Sequence, residues 1–295
     1  MPSPTSLPDR RHPYRAFDPS LIEGFLRGRQ ISSMQLQSAG KSNTNYKLTL
    51  SDGQTCLVRL YSQGDPVRES YLMKLAGGLV PVPRELARGP GWSVLTFLEG
   101  GLLAEAPQHC AAAARALARI GSVAFESPGW VNGDGTVSAF PFAGISGFVE
   151  QMLEQEEVVR WIGSAASQGI RSLLDREAGR LAGLDSECRL VHGDFNPSNI
   201  LIRDGRVSGI LDWECSHSGS PCMDIGNLLR HLDSSLHGLV EQGLRDGGMH
   251  LPDDWKERAQ LVDLTSHLEF LSSGRSDRFK RQCVSRIERF LARFG

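Results

Sequence analysis

Asp194, Asn199 and Asp212 are the residues of this chain whose types and spacing could do chemistry together. They share one stretch, residues 190–214, Leu-Val-His-Gly-Asp-Phe-Asn-Pro-Ser-Asn-Ile-Leu-Ile-Arg-Asp-Gly-Arg-Val-Ser-Gly-Ile-Leu-Asp-Trp-Glu. A carboxylate and a carboxamide can offer oxygens to Mg²⁺, which usually takes one or two protein ligands and fills its shell with phosphate oxygens and water. A second carboxylate with no metal role can accept or orient the proton of an attacking hydroxyl. Together these are the parts of a phosphoryl transfer, in which charge builds on the transferred group and on its leaving oxygen. Asn199 and Asp212 are therefore the expected metal ligands and Asp194 the expected base. A capping or solvated side chain is the commoner explanation for any one of them alone. The three in this arrangement favour the catalytic one.

Such residues need elements to bring them together. Between Asn199 and Asp212 lie two apolar runs, 200–202 and 207–211, separated by Asp204-Gly205. Asp-Gly favours a tight hairpin turn because glycine tolerates positive φ. The stretch therefore predicts strand, turn, strand. A hairpin returns the chain to its origin, so Asn199 and Asp212 should stand side by side with Asp194 one loop away.

His192-Gly193-Asp194, with Asn199 five residues after the Asp, has the spacing of a kinase catalytic loop. With Ile210-Leu211-Asp212-Trp213-Glu214, Gly219-Ser220-Pro221 and Asp224-Ile225-Gly226, the stretch resembles the aminoglycoside phosphotransferase and choline kinase group, small-molecule kinases of protein-kinase-like fold. The resemblance is dense over 190–230 and thinner elsewhere. It implies an α+β fold of two lobes: an antiparallel-sheet lobe over 18–98 and a mainly helical lobe over 99–295, after an irregular or mobile arm over 1–17. It also implies ATP and Mg²⁺ as cofactors and a small-molecule hydroxyl as acceptor, of aminoglycoside, choline, homoserine or methylthioribose type. A catalytically silent nucleotide-binding protein on the same fold is the competing reading, and the filled catalytic positions speak against it. The resemblance gives Asp224 and His192 the part of braces for the catalytic loop. It makes Glu214, in the loop after Asp212, the best single acceptor contact.

The N-terminal part should hold the nucleotide. Residues 36–50 read as strand, small polar turn, strand, and Gly40, Ser42, Asn43 and Thr44 could lay backbone N–H groups over phosphates. One glycine alone is a weak signal, but Gly40-Lys41-Ser42-Asn43 matches the turn common in the group. Arg59 lies inside an apolar strand, where a charge is either solvent-facing or placed for an anion. It resembles the phosphate-holding Lys of the kinase third strand, with Glu69, early in a helix over 66–76, as its partner. Arg is a planar fork where Lys is a point charge. Residues 92–97 read as a strand, and the resemblance implies an inter-lobe hinge after it, with adenine held by backbone near Thr96, Phe97 and Leu98. Gly100-Gly101 should give that hinge conformational freedom.

The remaining sequence predicts helices over 19–28, 107–123, 147–163, 168–184, 221–231, 235–247, 254–271 and 276–294, with a loop over 128–145. Glu154, Glu156 and Glu157 read as a solvated helix face. With 295 residues the chain can bury a core in each lobe, and with 40% hydrophobic and 22% charged residues it is an ordinary globular protein. Residues 1–100 carry 12 basic and 8 acidic side chains, and the rest 20 and 26. That split suits polyphosphate on one side and a cationic acceptor on the other. The six cysteines form no Cys-x-x-Cys pair, so neither zinc nor redox chemistry is indicated. There is no basic-aromatic stretch for nucleic acid, no membrane span and no apolar signal core. The expectation is a cytoplasmic monomer or homodimer.

Overall fold

The computed structural model describes residues 10, 12–38 and 42–294. Gly40, and residues 1–9 and 11 of the expected arm, lie outside them. Residues 12–17 have no regular secondary structure but are docked, not loose. Phe17 is buried against the Tyr46 ring, and the Arg15 N–H donates to Thr44 Oγ1 at 3.0 Å.

The first sheet is built from β1 (Ile31–Gln37), β2 (Thr44–Leu50), β3 (Thr55–Leu60), β4 (Glu85–Gly89) and β5 (Trp92–Thr96). It is antiparallel throughout, in the order β1-β2-β3-β5-β4. Alternation in β3 sends Cys56, Val58 and Leu60 to a core with Leu48, Leu50 and Val94. The short helix α1 (Glu23–Leu26) precedes the sheet, and α2 (Pro66–Ala76) follows β3. α2 starts where it should: Asp65 caps the Val67 N–H and Pro66 fills a first-turn position whose N–H has no helical partner.

Beyond the hinge come β6 (Gly101–Leu102), α3 (Cys110–Ile120), β7 (Trp130–Val131), β8 (Val137–Ser138), α4 (Gly144–Leu153), α5 (Glu156–Arg176) and α6 (Ala178–Asp185). The catalytic segment supplies β9 (Arg189–Val191), β10 (Ile200–Arg203), β11 (Arg206–Ile210) and β12 (His217–Gly219). α7 (Cys222–Arg230), α8 (His237–Asp246), α9 (Trp255–Ser272) and α10 (Asp277–Phe294) close the chain. Two expectations are corrected. The region 128–145 holds the small hairpin β7–β8, too short to leave a periodic signal. The expected helices over 147–163 and 168–184 fall as α4, α5 and α6, with an unexpected break at 154–155, while the backbone does leave helical geometry at Gly163, φ 80° and ψ 164°.

One apolar core joins Leu72 and Met73 of α2 to Phe195, Ile200, Ile210 and Trp213 of the catalytic segment and to α3, α7 and α8. A second holds α4, α5, α9 and α10. Among the described residues no helix is long and apolar enough to cross a membrane.

Candidate active site

The hairpin forms as its turn residues require. Asp204 at φ 51° and Gly205 at φ 71° make the turn, and β10 pairs antiparallel with β11. At its open end the Leu211 N–H donates to Asn199 O at 2.8 Å, which closes the gap between the two expected metal ligands. Asn199 Nδ2 donates to Asp194 Oδ2 at 2.8 Å, so the amide oxygen of Asn199 is turned away from Asp194. The other Asp194 oxygen accepts from Asn196 Nδ2 at 2.7 Å. Two amide donors thus hold this carboxylate in one orientation.

Asp212 has a left-handed backbone, φ 67°, uncommon for a residue with a Cβ. The conformation swings Trp213 into the core, where its Nε1–H donates to Ile210 O at 3.0 Å, and keeps Asp212 at the cleft. Asp212 Oδ1 accepts from Arg59 Nη1 at 3.3 Å. The same guanidinium pairs with Glu69 of α2, and its Nε donates to Asn45 Oδ1 at 3.1 Å. Tyr61 donates its hydroxyl to the other Glu69 oxygen. Burial works against the charge of Arg59, but the Glu69 and Asp212 carboxylates outweigh it and hold its pKa up. Burial raises Asp212, and Arg59 opposes that shift.

Below the loop, Asp224 in the first turn of α7 accepts from the backbone N–H groups of His192, at 2.6 Å, and Gly193, at 2.9 Å. Burial pushes Asp224 up to about 7 against those two donors. His192 is fully buried between Phe195 and Trp213. Its Nε2 faces Leu211 O at 3.0 Å and its Nδ1 accepts from the Asp194 N–H at 3.2 Å. That pattern suits the neutral ring, and burial pushes its pKa down to about 4. Gly193, at φ 80°, touches the chain so closely that a Cβ would lie 2.3 Å from Cys215 O.

The sequence of residues 33–261 matches the model of the "Phosphotransferase enzyme family". The chain belongs to this family. Over 72 residues it is 38% identical to mouse acyl-CoA dehydrogenase family member 11. That match covers 24% of this chain and 9% of the relative, so it spans less than a tenth of that protein's length. Among solved structures it is similar to macrolide 2'-phosphotransferase MphH of Brachybacterium faecium, with a TM-score of 0.66 at 15% identity over 91% of this chain and 96% of the other. It is likewise similar to aminoglycoside phosphotransferase APH(4)-Ia, with a TM-score of 0.65 at 17% identity over 92% and 96%. A thermostable variant of the latter was crystallised with ADP and hygromycin B. The family match and the shared fold together place this chain among phosphotransferases of kinase-like fold.

Several expected site residues make side-chain contacts that the sequence did not suggest. Thr44 is fully buried, and its hydroxyl accepts from Arg15 N–H and from Arg10 Nη2. Asn43 Oδ1 accepts from the Ser62 N–H at 2.9 Å, while its Nδ2 donates to Glu214 Oε2 at 2.8 Å. Ser42 lies in the bend ahead of β2. Glu214 thus meets Asn43, one of the residues expected on the nucleotide side. The one-turn helix Trp213–Cys215 after Asp212 aims it there. Burial, then the Asp212 charge, pushes Glu214 up to about 7. The Thr96 N–H donates to Arg84 O at 2.8 Å and its hydroxyl accepts from the Arg84 N–H at 2.9 Å, so Thr96 belongs to the sheet, which ends before Leu98. Glu157 is tied to Lys280 and is not a free acidic face.

Sequence reasoning missed Arg68. Its Nε donates to Val131 O at 2.8 Å, its Nη1 to Glu214 O at 2.6 Å and its Nη2 to Ser216 O, while the guanidinium lies over the Trp130 ring. A charge adjacent to Glu69 on a helix carries no local signal for carbonyls some 60 to 150 residues away. Asn196 was also missed, although Asn-Pro-Ser is a turn signal. Its Oδ1 caps the Ser198 N–H at 2.9 Å.

Proposed function

We propose that this phosphotransferase moves the γ-phosphoryl group of ATP, with Mg²⁺, to the hydroxyl of a small amine-bearing alcohol. The observation that carries the reading is the gathering of Asp194, Asn199 and Asp212 at the open end of one hairpin, with Arg59 of the first sheet reaching Asp212. Asn199 and Asp212 would hold the metal. The donor set fits: one carboxylate and one amide oxygen suit an ion that completes its shell on phosphates. Among the described residues no group of three or more His, Cys, Asp or Glu side chains forms a cage that would bind metal by itself. When bound, the ion offsets charge on the phosphates and the leaving oxygen.

The chain's own residues do the rest. Arg59, kept charged and fixed by Glu69, anchors the phosphates. Asp194, oriented by Asn196 and Asn199, accepts a hydrogen bond from the acceptor hydroxyl and takes its proton as the oxygen attacks. Asp224 and His192 hold the loop rigid, which matters because a misplacement of about 1 Å can cost roughly 10²-fold in rate. Leu98 lies where the hinge backbone can meet adenine. Bound ADP in a protein of the same fold supports the nucleotide.

The acceptor class rests on the surface beside Cys215. Desolvation, and then the carboxylates of Asp194, Glu214, Asp212 and Glu269, push this thiol up, which marks the locality as acidic. Next to it stand Trp130, Phe140 and Phe142 with His217, ring centroids 5.1 to 5.7 Å apart. Aromatic faces beside carboxylates favour a cationic group. Aminoglycosides, choline, ethanolamine and homoserine carry one, and methylthioribose does not. The test is acceptor-stimulated ADP release with Mg²⁺ and ATP across such a panel. Stimulation by amine-bearing alcohols is expected, and stimulation by methylthioribose alone would overturn the acceptor class. Asp194→Ala should lower turnover roughly 10²-fold or more with ATP affinity kept, and full activity in it would sink the base assignment.

A further inference from the structure

α7, α9 and α10 enclose a cavity of about 270 Å³ that shares no residue with the cleft. Arg230, Asp263, His267, Arg286, Arg289 and Arg293 line it. Arg230 pairs with the buried Asp263 at 2.6 Å and also donates to Asn227 Oδ1 at 2.8 Å. Arg293 pairs with Glu257 at 3.2 Å. The half-buried Arg286 donates to the Arg230 carbonyl at 3.4 Å. Among the described residues, Arg286 and Arg289 have no carboxylate within ion-pair distance. His267 offers Nε2 to Asp263 at 3.4 Å, and its side chain is nine-tenths buried. The opposite nitrogen, Nδ1, is buried with no partner among the described residues.

Four arginines thus line a concave space with one carboxylate, Asp263, which is already paired. Like charges gathered in a cavity repel one another, and the field they focus attracts an anion. Guanidinium forks match the oxygens of phosphate in number and geometry, whereas a chloride ion would use one donor direction at a time.

We propose that this cavity is an anion site, separate from the catalytic cleft, that takes a small molecule bearing a phosphate group. Its volume lies just below the usual range of about 300–1,000 Å³ for small-molecule pockets, which limits the ligand to a compact phosphate ester or to phosphate itself. The site is linked to the catalytic loop through one short helix. Arg230 ends α7, and Asp224 in its first turn holds His192 and Gly193. The proposal does not depend on the acceptor class.

Calorimetric titration with inorganic phosphate, at ionic strength held constant with sodium chloride, tests it. The full chain, Arg286→Met/Arg289→Met and Arg59→Met are compared. Saturable one-site binding is expected in the full chain, weakened roughly 10-fold or more in the double variant and unchanged in Arg59→Met, which reports the cleft. ATP binding retained by the double variant shows that it is folded. Where that variant is insoluble, Arg289→Met alone, at an exposed position on α10, is expected to weaken phosphate by roughly 3-fold or more. Equal phosphate affinity in the arginine variants, loss in Arg59→Met alone, or no saturable binding in the full chain would each overturn the proposal. Glycerol 3-phosphate in place of phosphate distinguishes an ester from the free ion: tighter binding assigns the site to an ester, weaker binding to phosphate.

Discussion

Replacing Arg68 by Met removes three hydrogen bonds to main-chain carbonyls while keeping much of the apolar stem. The three acceptors, on Val131, Glu214 and Ser216, belong to the β7–β8 hairpin and to the loop after Asp212, and the donor belongs to α2. A hydrogen bond from a charged donor contributes about 1.5–3 kcal/mol. Three would sum to more than single substitutions ordinarily cost, but Arg68 is only half-buried, and water can reach the carbonyls that it leaves. The expected loss is therefore about 2–4 kcal/mol. Arg68→Lys, with one ammonium in place of the fork, should recover no more than about half. The structure adds a functional expectation. Arg68 adjoins Glu69, and the loop it holds adjoins Asp212, so its loss should loosen the Arg59–Asp212 contact and raise the KM for ATP more than it lowers kcat. Urea unfolding at fixed pH gives the stability, and ADP release over a range of ATP gives the split. A stability change below about 0.5 kcal/mol, with the KM for ATP unmoved, would refute the reasoning.

Asp212→Asn should raise the Mg²⁺ concentration for half-maximal ADP release by roughly 10-fold or more, since even losses outside the ligand shell reach that scale, and an unchanged Mg²⁺ curve would remove Asp212 from the metal site. Gly193→Ala puts a Cβ 2.3 Å from Cys215 O at a φ of 80° and should displace the loop, with strain of about 1–3 kcal/mol and turnover lowered roughly 10²-fold; a variant with normal kinetics would contradict the close approach. His217, buried with its pKa pushed down to about 4, titrates near 6.5 when unfolded, so the unfolded chain binds more protons between those values and stability falls as pH drops through that window. His217→Gln should therefore lose about 2 kcal/mol less than the parent between pH 7 and pH 5, read from urea midpoints, and equal slopes would show that the ring is not held neutral.

What the sequence disclosed was local or carried by a resemblance. Asp204-Gly205 specifies its turn because each residue must adopt positive φ, and the hairpin then places Asn199 beside Asp212 without further help. The Arg59–Glu69 pair was expected from the kinase pattern and is present as a contact. The rest depends on distance in space. Asn43 meets Glu214 across 171 residues, and no pattern around either residue reports the other. Glu214 was read as an acceptor contact because it follows Asp212. A single turn of tight helix also brings it to the amide of Asn43. Gly163 was read as a helix end, and its backbone does leave the helix there, with α4, α9 and α10 packed around the segments of α5 on either side.

The hinge holds a mechanical consequence. Gly101 and Leu102, as β6, pair with Ile202 and Leu201 of the catalytic hairpin, and Ser208 donates its hydroxyl to Glu99 O at 2.8 Å. Gly100 lies so close to this hairpin that a Cβ would stand 2.5 Å from Ser208 Oγ. The expected freedom of Gly100-Gly101 is therefore absent; the first glycine is there to let two strands of chain touch. Residues 99–102 move with the hairpin as one lever arm. On the other side, Thr96 is fixed to Arg84 in the sheet. Phe97 and Leu98 lie between these two anchored stretches, so a rotation about them would turn Asn199 and Asp212 with the hairpin.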